Sequence, residues 1–302
     1  MLPIVHHPDY AAPMPPGHRF PMDKFRRVMR RLLDDGIVRA DQVHRPEPAP
    51  RAWLERVHRG DYVEAVLTQT VDARIERRIG LPITEGVARR SAAANGGTVL
   101  TARLALELGL ACNTAGGSHH AFAEEGSGFC VFNDVAVAAT LLLDEGRIER
   151  ALVVDLDVHQ GDGTAKIFEN DQRVFTFSMH CRTNFPTRKQ TSDLDIALEP
   201  GTDDQLYLQL LDDVLPGLLT DHRPDLVFFN AGVDPHREDK LGRLDLTDAG
   251  LARRERYVLE SCVTRGIPVA GVLGGGYAPD PDRLAFLHTT LHRVADEIFS
   301  TL

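Results

Sequence analysis

Short apolar runs that alternate with longer amphipathic segments constrain the fold of this 302-residue chain more than any other feature. Most of these runs are apolar at every position, which is typical of strands that are covered on both faces. A strand, a helix and a second strand of the same sheet, repeated along a chain, produce parallel pairing. The sequence therefore predicts an α/β fold in which helices cover both faces of a parallel sheet.

The runs place the expected elements along the chain. We predict strands at 2–6, 110–115, 151–156, 173–178, 225–230 and 267–273. We predict helices at 21–34, 85–108, 131–145, 203–220, 247–265 and 281–298. The fourth and fifth helices begin with Thr202-Asp203-Asp204 and Thr247-Asp248, residue types that cap helix N-termini. Two stretches are expected to be loops: the proline-rich 41–50 at the surface, and the long, irregular 179–200, a kind of loop that is often functional.

Composition narrows the class of protein to a single globular domain over residues 1–302, because no repeat, linker or low-complexity tract divides the chain. The formal charge of -10 argues against a nucleic-acid partner, which requires a concentrated positive surface, but an acidic surface would attract a basic substrate. No apolar run reaches the ~18 residues of a membrane span, and no signal peptide is recognisable. Four scattered cysteines form no CxxC pair. We therefore expect a protein of the reducing cytoplasm with no membrane partner.

Polar residues gather directly after four of the predicted strands. These segments are Gly116-Gly117-Ser118-His119-His120, Asp155 to Asp162, Asn230 to Asp234, and Gly274-Gly275-Gly276-Tyr277. Ligands of parallel α/β sheets bind beyond the carboxyl ends of the strands. One such segment is unremarkable, since aspartates often cap the next helix, but four at one edge predict an active site.

The segment DLDVHQGDG at 155–163 is the densest of the four. In extended backbone, residues two apart face the same way, so Asp155, Asp157 and His159 should project to one side. Asp234, at the end of another strand, can supply a third ligand beside Asp157 and His159. Three such ligands suit catalytic zinc, which keeps a position open for water, although ferrous iron or manganese would accept the same donors.

Two adjacent histidines and one tyrosine provide candidate proton donors and acceptors. His119 and His120 each need an acceptor on one ring nitrogen so that the other can transfer protons, and Asp155 and Asp162 are available for that purpose. A lone histidine is more often structural, but a tandem pair after Gly-Gly favours catalysis. Tyr277 either packs on its glycine turn or donates a hydrogen bond to a developing oxyanion.

Taken together, the motifs resemble those of the zinc-dependent histone deacetylase family. They are GGSHHA (116–121), GSGFCVFND (126–134), DLDVHQGDGT (155–164), FSMH (177–180), NAGVD (230–234) and LGGGY (273–277). HRFPM at 18–22 and EPGTDD at 199–204 are most similar to the class IV and bacterial branch. The resemblance covers about residues 5 to 290 and implies a single arginase-like domain with a parallel sheet of about eight strands.

The resemblance also implies the metals. Asp157, His159 and Asp234 match the ligands of one Zn²⁺ per chain. Asp155 and Ser178, together with backbone oxygens nearby, match an internal, structural K⁺ site.

The catalytic residues follow in the same way. His119 and His120 match the tandem histidines, with Asp155 and Asp162 as their respective partners and His120 as the general base. Tyr277 matches the tyrosine that polarises the scissile carbonyl.

Five further residues match substrate-binding positions of the family. Phe129 and Phe185 match the walls of the acyl-lysine tunnel, the carbonyl of Gly128 matches an acceptor for the substrate amide, and Leu241 matches an apolar position at the tunnel rim. Arg19 matches an arginine that lines an inner channel proposed for acetate release.

Two positions depart from the family pattern. The stretch 79–82 lacks the carboxylate with which many members hold a peptide backbone, and Gln160 stands where many have a second histidine. The absent carboxylate weakens the expectation of tight peptide binding.

The expected reaction is hydrolysis of an amide that carries an acetyl or longer fatty acyl group, with an acyl-lysine protein or peptide as substrate. Leu241 favours this reading over a small acylated amine such as an acetylpolyamine, for which relatives place a glutamate at the rim. A binuclear manganese ureohydrolase needs more ligands than the sequence offers. A non-catalytic acyl-lysine reader should have lost a ligand or the tyrosine, and none is missing.

Overall fold

The computed structural model describes residues 1–301, and its centre is one eight-stranded sheet in which every strand pair is parallel. In chain order the strands are β1 (Ile4–Val5), β2 (Val43–His44), β3 (Leu110–Asn113), β4 (Ala151–Asp155), β5 (Val174–Cys181), β6 (Leu194–Leu198), β7 (Leu226–Asn230) and β8 (Val269–Val272). Their spatial order is β2-β1-β3-β8-β7-β4-β5-β6. The α/β fold with a parallel sheet of about eight strands is confirmed.

Ten α-helices surround the sheet within residues 1–301. They are α1 (Lys24–Asp34), α2 (Arg51–Leu54), α3 (Gly60–Leu67), α4 (Ala73–Ile79), α5 (Glu85–Leu108), α6 (Asp134–Asp144), α7 (Asp162–Phe168), α8 (Asp204–His222), α9 (Asp248–Val263) and α10 (Pro281–Phe299). The caps predicted for α8 and α9 are present, because Asp203 accepts from Leu206 N and Thr247 accepts from Gly250 N. No helix in this part of the chain has the length and apolar character that crossing a membrane requires.

The sheet divides the core into two layers because successive strand residues face opposite sides. On β4, Leu152 and Val154 join a cluster formed largely with α1, α8, α9 and α10. Ala151 and Val153 join the other cluster, with α6 and part of α5. All five residues of β4 and of β7 are buried. This double coverage explains why the central strands are apolar at every position.

Two of the loop predictions are wrong in part. The stretch 41–50 contains β2, a two-residue edge strand, and 179–200 contains the end of β5 and all of β6. β6 was missed because it is an edge strand with intermediate or exposed positions, so its composition is not that of a buried run. The short helices α2, α3, α4 and α7 were also missed, since a helix of one or two turns has little periodicity and depends on tertiary packing.

Candidate active site

The four polar segments that follow strands do lie together, because β3, β8, β7 and β4 are consecutive neighbours in the sheet. Each of these strands ends in the segment that carries the predicted residues. β4, however, stops at Asp155, so the extended backbone predicted through His159 is wrong. The chain turns there instead: Asp157 N donates to Asp155 Oδ1 at 3.2 Å, and His159 N donates to Asp157 Oδ1 at 3.0 Å. These Asx-type turns, instead of an extended strand, bring Asp157 and His159 together.

Asp157, His159 and Asp234 form a compact, buried triangle in which the candidate ligand atoms all lie within 4.8 Å of one another. His159 Nδ1 is 3.0 Å from Asp157 Oδ1 and 3.2 Å from Asp234 Oδ2. The other oxygens accept backbone bonds, from Gly275 N to Asp157 Oδ2 at 2.7 Å and from Val158 N to Asp234 Oδ1 at 2.9 Å. These bonds fix the orientation of both carboxylates.

The donor set of this triangle fits a divalent cation. Asp234 Oδ2 is buried and has no hydrogen-bond partner among the described residues, despite its closeness to His159. Burial, followed by the neighbouring Asp157, raises the pKa of Asp234 to about 7. Burial alone would lower the pKa of His159, but the two carboxylates outweigh it and raise the pKa to about 10. Excess buried negative charge with one free oxygen is what a bound cation neutralises.

The backbone of Gly275 lies very close to the carboxylates of Asp157 and Asp234. A side chain at Gly275 would begin 2.1 Å from Asp234 Oδ2 and 2.7 Å from Asp157 Oδ2. Only glycine can therefore bring its N–H to Asp157 at this point, which gives a physical reason for the LGGGY segment.

The surroundings of the tandem histidines shift their pKa values in opposite directions. His119 Nδ1 lies 2.6 Å from Asp155 Oδ2, and His120 Nδ1 lies 2.6 Å from Asp162 Oδ1. Burial lowers the pKa of His119, but Asp155 and Asp157 outweigh it and raise the pKa to about 9. For His120, burial and the charge of His119 outweigh Asp162 and lower the pKa to about 4. The two rings therefore differ in basicity, with His119 shifted toward the protonated form and His120 toward the neutral form.

Two cavities meet at these residues, and His120, His159 and Tyr277 line both of them. The inner cavity has a volume of about 30 Å³, and the outer one, which opens to solvent, about 320 Å³. Phe129, Phe185, Leu241 and Gly128 line the outer cavity, where a substrate tunnel was predicted. Burial, then Asp234 and Asp157, raise the pKa of Tyr277 well above its usual value, which keeps the phenol protonated.

The position of Arg19 differs from the prediction. It lines the outer cavity, with its guanidinium carbon 4.9 Å from the centre of the Phe129 ring, instead of an inner channel. Lys24 and Arg90 line the inner cavity, and both are buried. Lys24 Nζ donates to Gly274 O at 3.1 Å, and burial lowers its pKa to about 8. A single residue, Asp23, separates HRFPM from Lys24. The motif thus indicated the right segment, but the cation of this segment that lines the inner cavity is Lys24 and not Arg19.

The wall of the outer cavity is a tight turn that positions Phe129. Gly128 and Phe129 both have positive φ, 51° and 67°, which for phenylalanine costs roughly 1–2 kcal/mol. Phe129 N donates to Ile79 O at 2.7 Å and Gly128 N to Arg78 O at 3.2 Å. The end of α4 thus offsets the strain, and the stretch 79–82, which lacks the expected carboxylate, supports this wall.

Sequence reasoning missed several residues that hold the site in place. Asp239 accepts from Tyr277 N at 2.6 Å and from Leu241 N at 2.8 Å, which ties the tyrosine to the rim. Asp134 accepts from Ser118 N at 2.7 Å and fixes the turn before the histidines. Gln160 donates to Gln190 O at 2.8 Å and to Asp195 Oδ1 at 2.8 Å, so it anchors the loop after β5. Asp134 ends the GSGFCVFND motif, and that was the available signal.

Ser178, predicted with Asp155 to hold K⁺, is buried opposite Asp155 in the β4–β5 register. Its hydroxyl lies 3.0 Å from His180 Nδ1. Both oxygens of Asp155 are engaged by protein groups, Oδ2 by His119 and Oδ1 by Asn230 Nδ2 at 2.9 Å. The K⁺ site stays a prediction.

Comparison with known proteins gives a consistent family. A family model described as "Histone deacetylase domain" matches residues 18–292. An uncharacterized protein of Picosynechococcus sp. is 55% identical, over 99% of both chains. Histone deacetylase 2 of Arabidopsis thaliana is 30% identical, over 88% of this chain and 71% of its own length. A probable deacetylase of Archaeoglobus fulgidus is also 30% identical, over 91% of this chain and 81% of its own length.

Solved structures agree at the level of the fold. The HDA15 HD domain superposes with a TM-score of 0.83 at 23% identity, covering 98% of this chain and 88% of that domain. An HDAC homologue complexed with SAHA superposes with a TM-score of 0.81 at 24% identity, covering 97% of this chain and 84% of the homologue. The family model matches most of this chain, and the predicted site residues gather at one edge of the sheet. This chain therefore belongs to the histone deacetylase family.

Proposed function

We propose that this protein is a zinc-dependent amidohydrolase that removes acyl groups from Nε-acyl-lysine of proteins or peptides. One observation carries the proposal: the Asp157–His159–Asp234 triangle lies where an open, aromatic-walled cavity meets the tandem histidines and Tyr277. Zn²⁺, when bound by the triangle, would polarise the acyl carbonyl and lower the pKa of a water molecule. Family membership and the free, buried oxygen of Asp234 support this metal.

The protein groups then divide the proton transfers. Asp162 accepts from Nδ1 of His120, which leaves Nε2 as the base that takes a proton from the attacking water. The Tyr277 hydroxyl donates to the oxyanion that develops on the carbonyl oxygen. The histidine pair, protonated after the attack and held by Asp155 and Asp162, returns a proton to the leaving amine.

The two cavities bear on the substrate. Aromatic walls of the outer cavity suit the uncharged stem of an acyl-lysine better than a free ammonium, which is costly to desolvate there. Buried Lys24 and Arg90 in the inner cavity favour a short acyl group and its carboxylate product over a long apolar chain. Acetyl is thus the first acyl group to test, with decanoyl and myristoyl as the longer alternatives.

A Tyr277→Phe variant tests the proposal. Loss of an oxyanion donor costs about 2.7–4 kcal/mol, so kcat on an acetyl-lysine peptide should fall roughly 10²–10³-fold while bound zinc is retained. Tyr257→Phe, which makes the same change at a surface tyrosine bonded to Asp212, is the matched control and should keep wild-type turnover. Near-normal turnover of Tyr277→Phe would contradict the role of this residue.

The rival functions give other results in the same assay. Faster hydrolysis of acetylputrescine than of any acyl-lysine peptide would favour a small acylated amine. No hydrolysis of any acyl amide by the zinc-loaded wild type would favour a non-catalytic reader. Two tightly bound metal ions per chain would favour a ureohydrolase, but residues 1–301 contain a single cluster of three potential ligands.

A further inference from the structure

The mouth of the outer cavity carries positive charge in an otherwise acidic protein. Arg19, Lys240 and Arg243, here called the rim cations, are exposed residues that line it. Among the described residues none of the three forms an ion pair with a carboxylate. A fourth basic residue of the lining, Arg78, is neutralised by Glu125. The rim cations therefore stand as uncompensated charge at the entrance.

The geometry places these charges beside the route of the substrate. Arg19 stacks on Phe129, a wall of the cavity, at 4.9 Å from the ring centre. Lys240 directly precedes Leu241, whose carbonyl accepts from Asn184 Nδ2 at 2.7 Å, so it is attached to the loop that holds Phe185. Arg243 reaches the same region, with Nη1 3.5 Å from the Thr183 carbonyl oxygen. Groups that flank an inserted side chain must pass these cations.

No carboxylate opposes them locally. In the part of the chain that the structure describes, neither Asp nor Glu lines the outer cavity. Asp239, the nearest in sequence to Lys240, is directed away and accepts from the amides of Tyr277, Leu241 and Gly242. The Debye length at physiological salt is about 8 Å, so the net charge of -10, spread over the surface, is largely screened at the mouth. The rim cations are therefore exposed, unpaired charges of the lining, close to where a bound substrate would lie.

We propose that the rim cations select acylated amines with anionic flanking groups, above all acyl-lysine flanked by Asp or Glu. This rests on the proposed function and adds a preference to it. The net charge of -10 alone left a basic substrate open, since an acidic surface would attract one. A polyamine, whose remaining amines are cationic, is disfavoured for the same reason as a lysine-rich peptide.

Three peptides of equal length, each with a central acetyl-lysine, test the proposal on the zinc-loaded enzyme. Their flanks are acidic (Asp and Glu), neutral (Ser and Gly) or basic (Lys and Arg). For the wild type, kcat/KM should be roughly tenfold higher for the acidic than for the basic peptide at low salt, and the ratio should shrink toward one as ionic strength rises.

Charge reversal assigns the effect to the rim. The double variant Lys240→Glu/Arg243→Glu should invert the ratio, and Lys240→Arg/Arg243→Lys should preserve it. Arg147→Glu/Arg150→Glu makes the same charge change just before β4 begins, at the amino-terminal ends of the strands and away from the cavity. This control should keep the wild-type ratio of kcat/KM between the peptides. Because the readout is a ratio between peptides, a general loss of activity does not affect it.

The outcomes separate the two proposals. Equal kcat/KM for all three peptides, or a preference for the basic one, overturns the rim selectivity and leaves the hydrolase assignment intact. No cleavage of the neutral peptide by the wild type is evidence against the proposed function itself. A ratio that charge reversal does not move would place the selectivity elsewhere on the protein and also overturns this inference.

Discussion

Two buried charged clusters near the ends of β4 and β7 differ in their balance of charge. The triangle of Asp157, His159 and Asp234, the candidate metal site, joins two carboxylates to one imidazole and leaves Asp234 Oδ2 without a hydrogen bond. The second cluster, Arg254 and Glu255 on α9, is fully buried and closed: Nε donates to Oε2 at 2.7 Å, and Nη2 donates to Oε1 at 2.8 Å.

The difference separates a cluster that supports the fold from one that suits the proposed function. The Arg254 guanidinium also donates to Leu156 O at 3.0 Å and to Gly232 O at 2.8 Å, close to the candidate ligands Asp157 and Asp234. Buried charge is costly unless it is paired and hydrogen-bonded. The charges of Arg254 and Glu255 are paired and hydrogen-bonded to each other, and Arg254 also holds the backbone. The triangle carries excess negative charge, which a bound cation would balance.

The largest expected effect comes from removing charge from the triangle. Asp234→Asn should lose zinc and roughly 10⁴-fold of the turnover, since metal activation is worth several kcal/mol and each ~1.4 kcal/mol is a factor of ten. Elemental analysis and peptide hydrolysis measure both losses. Asp213→Asn, at an exposed position of α8, is the control.

The same variant tests whether the uncompensated charge of the triangle lowers the stability of the metal-free protein. Zinc should raise the melting temperature of the wild type and not that of Asp234→Asn, because only a ligand that binds the native state stabilises it. Without metal, Asp234→Asn should melt no lower than the wild type. A clear fall in the melting temperature of the metal-free variant would refute the charge-balance argument.

Breaking the balanced pair is the next largest change. Arg254→Met leaves Glu255 buried without a partner and should lower the free energy of unfolding by about 3–5 kcal/mol, measured by denaturant titration. The double variant Arg254→Met/Glu255→Leu should recover much of that loss. Arg253→Met, at the exposed neighbouring arginine, should be nearly neutral. If the double variant is no more stable than Arg254→Met, unpaired charge is not the cause.

The buried, neutral side chain of His58 extends the comparison, and we expect it to have the smallest effect on the free energy of unfolding. His58 Nδ1 lies 2.9 Å from Phe122 O, and Nε2 accepts from Asn133 N at 2.9 Å, so protonation would break the second bond. Burial lowers the pKa of His58 to about 4. The pKa of His58 in the folded protein is thus below its unfolded value of about 6.5. The contribution of neutral His58 to the free energy of unfolding is therefore complete above pH 6.5 and is lost as the pH falls toward 4.

We expect His58 to account for roughly 1–3 kcal/mol of the loss in unfolding free energy between pH 6.5 and 4. Unfolding titrations of the wild type and His58→Gln across that range measure it, and the variant should show the shallower pH dependence. His44→Gln, at an exposed position, should follow the wild type. Parallel curves for wild type and His58→Gln would show that His58 does not titrate in this range.

How far the sequence predicts the site depends on the signal each residue leaves. Asp157, His159 and Asp234 follow buried strands in recognisable motifs and were found. Arg254 was missed, although it and Glu255 occupy positions between Leu251 and Val258 on the buried face of α9, where apolar residues are expected. Charged residues at such positions are a detectable signal of a buried ion pair.

Other features leave no such signal. Lys24 and Arg90 are ordinary helix residues in the sequence, and only the packing of α1 and α5 beside the sheet brings them to the inner cavity. The exposed edge strand β6 and the short helices lack the periodicity that identifies longer elements. Their formation depends on contacts with distant parts of the chain, which local patterns do not contain.

By itself the sequence determined the alternation of strands and helices, the residue types at the strand ends, and through its motifs the family. Only the tertiary structure decided that β7 lies beside β4, which places Asp234 next to Val158, 76 residues earlier. It also decided that the pKa of His119 is raised and that of His120 is lowered. The reason is physical: hydrophobic periodicity records which face of an element is buried, whereas strand order and pKa depend on which charges burial brings together.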